Sequence, residues 1–341
     1  MRKNINIESA TPILEYAETP AKSPRETERA NPHAWRKVLD DPDYILRAWA
    51  AILIVAAIDW AWATQAGLEI SGLMPAVEGV AMFAAFGFLM DYSKRARPVA
   101  EAAHYCALWI GFAVALEIFS YAAATLRMPM RDLQFARADA ALGFNWNAGF
   151  DWITSSIWLL RYILEHAYNS IMVQIFASIS FFALIKRSDR NRELLWIGVL
   201  SALITTTLSG FFPALGPYGK GGMPVWSKVL LTIRDGSLSK IAVGNMAGIV
   251  AFPSFHTVLA VVLLYVHRPP LRSFVPVAIL NALMLVAIPF AGHHYLVDMI
   301  AGTAVATVSI LIIRAAMRPR SLIRGSATQS WCHSDSQQAL T

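Results

Sequence analysis

Long apolar runs separated by short polar segments place the strongest constraint on what this chain can fold into. A membrane-spanning helix needs roughly 20 mostly apolar residues, and about eight runs meet that requirement. We therefore predict an all-α polytopic membrane helix bundle with about eight transmembrane helices. The predicted spans are 45–64, 74–91, 101–124, 168–186, 193–212, 250–267, 273–291 and 295–316.

Composition agrees with a membrane protein. Only 15% of the residues are charged and mean hydropathy is +0.46, whereas soluble domains carry about 25% charged residues. The formal net charge is +6, which in a soluble protein would suggest nucleic acid. Here we attribute it to basic cytoplasmic loops and expect no nucleic-acid partner. Cys106 and Cys332 are the two cysteines, and they indicate no disulfide framework.

The chain divides into tails and a membrane body. Residues 1–43 lack the apolar core of a signal peptide and are predicted to form a disordered cytoplasmic tail, as are residues 317–341. We expect N-terminal transmembrane helices over 44–124 and a catalytic membrane domain over 125–316. The stretch 150–166 is apolar but contains Asp151, Arg161 and Glu165. It predicts an interfacial or re-entrant helix, with a ninth span as the competing interpretation.

Loop charges predict the orientation. Lys and Arg are concentrated before the first span, in 92–100, 186–192 and 268–272, and after the last span. With eight spans all of these segments fall on one side, which the positive-inside rule makes cytoplasmic. We expect an integral, multi-pass protein of a bacterial inner membrane with both termini cytoplasmic. Any site at the opposite ends of the last spans would then be periplasmic.

Two short motifs carry the chemical signal at that side. One is Pro253-Ser254-Phe255-His256 and the other runs from His293 to Asp298. His294 and Asp298 are four residues apart, so on a helix they would share a face. An aspartate can orient an imidazole and stabilise its cation, and an oriented neutral histidine is a good nucleophile or base. This spacing favours His294 over His293.

The Pro-Ser-x-His motif predicts an anion site. It lies at the start of a predicted helix, where free backbone N–H groups favour phosphate. Ser254 can add a hydroxyl donor, and His256 can donate a proton to a departing oxygen. Together the motifs suggest phosphoryl transfer, which needs neither cofactor nor metal. A zinc site formed by His256, His294 and Asp298 is the other interpretation that the residues leave open.

These residues resemble the type 2 phosphatidic acid phosphatase superfamily, whose second motif is Pro-Ser-x-His and whose third ends in His-x-x-x-Asp. The resemblance implies a six-helix phosphatase-like core. It also implies that His294 is the nucleophile forming a phosphohistidine, that Asp298 orients it, and that His256 protonates the leaving group. By the same resemblance Ser254 contacts the phosphate.

The sequence departs from the family pattern in its basic residues. Ala287 and Ile288 occupy the positions of the usual Ser-Arg, and Arg97-Pro98 lacks the lysine spacing of the first motif because position 90 is Met90. The two histidine motifs and Arg234-Asp235-Gly236 resemble the branch of inositol phosphorylceramide synthase, the aureobasidin-resistance type. A phosphate site still needs positive charge, and we predict that Arg234 and Lys220 supply it.

The sequence thus predicts an enzyme of lipid metabolism acting at the extracytoplasmic face. Our first expectation is a lipid phosphotransferase, inositolphosphotransferase-like, moving a phosphoryl or phospho-head-group between a lipid and an alcohol such as inositol. The substrate would be a phospholipid, a sphingolipid or a polyprenyl phosphate of the bilayer. A hydrolase, a lipid phosphate phosphatase using the same site, is the alternative. From another class, the chain could be a transporter or non-catalytic membrane protein.

Overall fold

The computed structural model describes residues 42–92, 96–219 and 222–317. The predicted tails 1–43 and 317–341 lie almost wholly outside these ranges, and Lys220 lies outside them too. The described part is built from helices, with one two-stranded sheet. The helices are α1 Pro42–Gln65, α2 Met74–Asp91, α3 Arg97–Ala124, α4 Asp132–Ala141, α5 Trp146–Ser155, α6 Trp158–Asn169, α7 Ile171–Leu184, α8 Ser188–Phe211, α9 Val225–Asp235, α10 Phe255–Val266, α11 Phe274–Ala291 and α12 Leu296–Ala316.

Six of the described helices are long and apolar enough to cross a membrane: α1, α2, α3, α8, α11 and α12. This confirms an all-α polytopic bundle, and the protein is a multi-pass membrane protein by the length and composition of its helices. The predicted spans 168–186 and 250–267 form shorter helices, α7 and α10. Helices α6 and α7 meet at a 55° bend and together make either a broken span or a re-entrant loop.

A main buried core of apolar side chains packs the helices against one another. Its side chains come chiefly from α3, α7, α8, α10, α11 and α12, with Ala48 and Ile52 of α1 at its edge. Large apolar side chains elsewhere on α1, α2 and α12, such as Leu53, Phe88 and Leu311, are exposed. Exposed apolar faces of this extent mark contact with lipid or another apolar partner.

A second, smaller buried cluster lies at one end of the bundle, where α9 packs near the C-terminus of α3. Strand Glu69–Ser71 pairs in parallel with Lys240–Ala242 at this end. The hydroxyl of Tyr121 also donates to the carbonyl of Ala247 at 3.1 Å. These bonds join the α1–α2 connection and the segment after α9 to the same end. The loops that carry the histidine motifs lie there as well.

Candidate active site

Helix α10 begins at the Pro-Ser-x-His motif because Ser254 caps it. The Ser254 hydroxyl accepts from the backbone N–H of Thr257 at 3.4 Å, and the side chain is fully buried. The backbone N–H of Ser254 donates to the carbonyl of Asp298 at 3.0 Å. The start of α10 is thereby fixed to the start of α12, and the two motifs lie side by side.

Close helix packing at this point requires a glycine. A methyl group at Gly302 of α12 would lie 2.5 Å from the carbonyl oxygen of Ser254 and 3.1 Å from Cβ of Thr257. Such distances are well inside normal van der Waals contact. The absence of a side chain at Gly302 therefore allows α12 to approach the Ser254 cap.

His294 and Asp298 form the pair that the spacing predicts, but for a different geometric reason. His294 precedes the N-cap residue of α12, Tyr295, so the two residues do not share a helix face. Instead, Oδ2 of Asp298 accepts from the backbone N–H of Tyr295 at 2.8 Å and lies 3.4 Å from Nδ1 of His294. This capping turn folds the carboxylate back toward the imidazole.

Burial defines the electrostatics of this pair. His294 is 4% exposed and Asp298 is fully buried. Burial lowers the pKa of His294 to about 4, although a hydrogen bond to the backbone of Ala251 acts in the opposite direction. The imidazole is therefore neutral at pH 7. Nδ1 of the ring faces the Asp298 carboxylate at 3.4 Å, which is the arrangement in which an aspartate orients an imidazole.

His256 lies next to this pair. Its ring stacks on Tyr168 of α6, with centroids 4.1 Å apart and planes at 16°. A methyl group at Gly292 would contact both Cε2 of Tyr168 and Cδ2 of His294, at 2.9 and 2.7 Å. The rings of Tyr168 and His294 therefore both lie close to Gly292. The charges of His256 and His294 interact. The structure therefore brings Ser254, His256, His294 and Asp298 together.

His293 occupies a different environment. Its Nδ1 donates to the carbonyl of Pro217 at 3.0 Å, and its ring contacts Trp146, Phe150 and Trp226. Its backbone has φ of +52°, a conformation uncommon for a residue other than glycine. These contacts join His293 to the loop at Pro217 and to helices α5 and α9, which indicates a structural function. The expected preference for His294 over His293 agrees with this geometry.

Arg234 is the predicted basic residue that the structure describes. One guanidinium nitrogen of Arg234 donates to the carbonyl of Met128 at 2.6 Å, and another is buried without a hydrogen-bond partner among the described residues. Burial, and then the neighbouring charge of Arg127, lower the pKa of Arg234. The contacts of Arg234 do not connect it with His256 or His294, so its assignment as the phosphate clamp stays a prediction.

Arg131 is a basic residue that the sequence reasoning missed. Its guanidinium lies 5.9 Å from the ring centroid of Phe212, and its Nε is buried without a hydrogen-bond partner in the described chain. Phe212 in turn meets the ring of Phe252 at 6.3 Å, two residues before Ser254. Arg131 is therefore separated from the cap of α10 by two aromatic rings.

Two aspartates of α4 were also missed. The carboxylate of Asp139 accepts from the backbone N–H groups of Leu296 and Val297 at 2.8 and 3.0 Å, and the side chain is 3% exposed. Asp132 accepts from the backbone N–H groups of Leu215 and Gly216 at 3.0 and 3.1 Å. Helix α4 thus anchors both loops around the histidines. The sequence signal was the seven-residue spacing, which places both carboxylates on one helix face.

The residues that could hold a metal do not form a ligand set in the described chain. Across residues 42–92, 96–219 and 222–317, no group of three or more His, Cys, Asp or Glu side chains is placed to bind a metal ion. His256 stacks on a ring, while the nearest acidic neighbour of His294 is Asp298 at 3.4 Å.

Comparison with known proteins identifies the class. A family profile described as the PAP2 superfamily matches residues 133–312, which is more than half of the chain. The protein belongs to the PAP2 superfamily. This membership supports an enzyme of the lipid phosphatase or phosphotransferase type. The match begins in α4 and contains both histidine motifs, whereas α1 to α3 lie before it. No significant match was found among curated proteins or among solved structures.

Proposed function

We propose that the protein is a membrane-embedded lipid phosphotransferase that acts through a phosphohistidine on His294. The observation that carries the proposal is the buried His294–Asp298 pair, 3.4 Å apart, fixed against the Ser254 cap by the hydrogen bond from Ser254 N–H to the Asp298 carbonyl. Nucleophile, orienting carboxylate and anion-binding helix start are then contiguous. Such an arrangement suits covalent catalysis at phosphorus.

In the first step, Nε2 of His294 attacks the phosphorus of the donor lipid. An N–P bond forms as the bond from phosphorus to the leaving oxygen breaks. His256, protonated when the anionic phosphate lies beside it, gives its proton to that oxygen, and Asp298 stabilises the positive charge that develops on the His294 imidazole. The Ser254 hydroxyl and the N-terminus of α10 bind the phosphoryl oxygens.

In the second step, an acceptor oxygen attacks the phosphohistidine. His256, now neutral, removes the acceptor proton, and the N–P bond breaks to restore His294. An alcohol acceptor gives a transferase, whereas water gives a phosphatase acting on a phosphatidate or polyprenyl phosphate. The low exposure of His294, 4%, favours a bound acceptor over bulk water, so we place the transferase first. The resemblance to the inositol phosphorylceramide synthase branch supports the same order.

A phosphate site needs a positively charged side chain to hold the anion. Arg131 is our first candidate because its guanidinium lies over Phe212, whose ring meets Phe252 near Ser254, and because it keeps a buried N–H without a partner among the described residues. Arg234, and Lys220 from outside the described residues, are the candidates from sequence. A planar guanidinium can bind two phosphate oxygens at once. Arg131→Gln should then raise KM for the lipid more than Arg234→Gln does.

The decisive experiment is trapping of the phosphoenzyme. Purified protein in detergent is mixed with a 32P-labelled phospholipid, quenched in alkali and examined for protein-bound label. His294→Ala should abolish labelling and turnover, whereas His293→Ala should label, since His293 is held by Pro217 and three aromatic rings. Label that survives in His294→Ala but disappears in His293→Ala would move the nucleophile and refute the assignment.

Product partitioning separates transferase from phosphatase. With rising concentrations of an alcohol acceptor, a transferase diverts the phosphoryl product from the free form into the acceptor ester. If water remains the acceptor at every concentration, the phosphatase is correct. If neither lipid turnover nor labelling occurs with phosphomonoester and phosphodiester lipids, the remaining class, a transporter or non-catalytic membrane protein, replaces both.

A further inference from the structure

A cavity of about 690 Å³ lies beside the catalytic histidine. It is bounded by α4, by residues 143–147 and by the loop 215–218, and it ends at Tyr295. Tyr295 follows His294 directly and caps the helix that carries Asp298. A volume of this size is typical of small-molecule sites and accommodates a sugar-sized group.

The lining of the cavity combines apolar surface with several polar groups and carries no positive charge among the described residues. Among its described lining residues are the carboxylates Asp132 and Asp139, the amides Asn145 and Asn147, and the exposed ring of Tyr218, but no Lys, Arg or His. An anionic phosphate would be repelled there. We therefore assign the phosphate of the substrate to the side of Ser254 and His294, and the cavity to a different part of a reactant.

The hydrogen bonds that Asp132 and Asp139 already accept indicate which chemical groups the cavity could bind. Asp132 and Asp139 each accept from two backbone N–H groups, which compensate part of their charge. Carboxylates retain further lone pairs that accept from hydroxyl groups. The exposed side chain of Asn147 can donate to hydroxyl oxygens. A ligand with many hydroxyl groups uses both donors and acceptors, whereas an ammonium group uses acceptors alone.

We propose that this cavity binds an uncharged, polyhydroxylated group of a reactant, either the head group of the donor lipid or a free acceptor alcohol. The inference rests on the proposed function, because it assigns the phosphate to the Ser254–His294 site and the hydroxylated group to the adjacent cavity. It adds a subsite whose residues come from α4 and the two loops that α4 anchors.

The proposal can be tested by filling the cavity with a large side chain introduced on α4. Ala136 and Ala140 are exposed on α4 and line the cavity, while Ala141 is exposed on the same helix and does not line it. Ala140→Trp and Ala136→Trp should fill the cavity, and Ala141→Trp is the matched control. Size-exclusion profiles and thermal unfolding establish that the variants are folded.

Two activity arms distinguish the sources of the hydroxylated group. For a donor head group, Ala140→Trp should raise KM for phosphatidylglycerol about 10-fold, the effect of roughly 1.4 kcal/mol, and leave phosphatidylethanol within about twofold. For a free acceptor, with phosphatidylethanol as donor, Ala140→Trp should reduce diversion of product to sorbitol. Either result, with Ala141→Trp like wild type, supports the subsite. Equal behaviour of all variants in both arms overturns it.

Binding of sorbitol alone separates this inference from the proposed function. If wild type turns over no phospholipid, the proposed function fails, but calorimetry still tests the cavity. Sorbitol binding that is lost in Ala140→Trp and kept in Ala141→Trp supports the inference. Binding unaffected by Ala140→Trp, or competition by choline rather than by glycerol, overturns it.

Discussion

Replacing Asp139 by Asn tests whether α4 holds the catalytic turn in place. Asp139 accepts from the backbone N–H groups of Leu296 and Val297 at 2.8 and 3.0 Å, across 157 residues of sequence, and is 3% exposed. These N–H groups belong to the first turn of α12, which has no intrahelical partner for them. Asp139 is therefore the anchor for the helix that carries Asp298.

The magnitude follows from the bonds that the amide cannot make. Asn keeps one acceptor oxygen and turns an N–H₂ group toward the other backbone N–H. A hydrogen bond to a charged group contributes about 1.5–3 kcal/mol, and a carboxylate at a helix N-terminus about 0.3–1 kcal/mol. Asp139→Asn should therefore destabilise the protein by about 2–4 kcal/mol by these contributions. Displacement of the turn should also lower kcat about 10- to 100-fold, with a smaller change in KM.

The assay combines thermal unfolding in detergent with steady-state kinetics on a phospholipid. Asp151→Asn is the matched control, since Asp151 is exposed on α5 and the substitution removes the same charge. The control should unfold and turn over like wild type. If Asp139→Asn unfolds at the wild-type temperature and keeps wild-type kcat, the contact between α4 and α12 does not position the site.

Three further outcomes follow from the site geometry. Asp298→Asn should lower kcat by about 10³- to 10⁴-fold, because the amide no longer stabilises the imidazolium; near-normal kcat in a folded variant would contradict the pairing. Gly302→Ala should lower the unfolding temperature, since its methyl group would lie 2.5 Å from the Ser254 carbonyl, whereas Gly244→Ala, with open space around it, should not. Burial lowers the pKa of His294, so the unfolded chain binds its proton at a higher pH than the native protein does. The free energy of unfolding should therefore fall as pH decreases from about 6.5 toward 4. In a pH–rate profile, the acidic limb of kcat/KM should lie below the ordinary histidine pKa. A limb at about 6.5 would refute a buried, neutral His294 as the nucleophile.

The apolar runs predicted the helices well because span length is a local property of the sequence. Six of the predicted spans form long helices. The two that do not, 168–186 and 250–267, contain Tyr168 and the Pro-Ser-x-His motif, which border the site. In the second of them the helix is only Phe255–Val266, since the chain from Ala251 to Ser254 leads to the Ser254 cap. Hydropathy cannot distinguish apolar residues that line a site from those that cross a membrane.

The pairing of His294 with Asp298 was predictable from spacing, but its supporting contacts were not. His294 and Asp298 are four residues apart, and a turn brought them together as a helix would have done. Tyr168 stacks on His256, and Arg131 lies over Phe212, through contacts between distant segments. No local pattern marks such contacts in one sequence, because they depend on the packing of whole helices.

Several buried polar atoms at the centre of the site have unsatisfied hydrogen-bonding capacity. Oδ1 of Asp298 and Oγ1 of Thr257 are buried and lack a hydrogen-bond partner among the described residues, and Nδ1 of His294 faces Oδ2 of Asp298 at 3.4 Å without an aligned hydrogen bond. Each such group costs about 1–3 kcal/mol, so three in one place oppose folding. Strong bonds around them offset that cost: the Asp139 anchor on α12, the Tyr295 N–H bond to Asp298 and the Ser254 bond to its carbonyl. A fold that stabilises the frame while leaving the central groups unpaired is prearranged to bind charge that appears only during reaction.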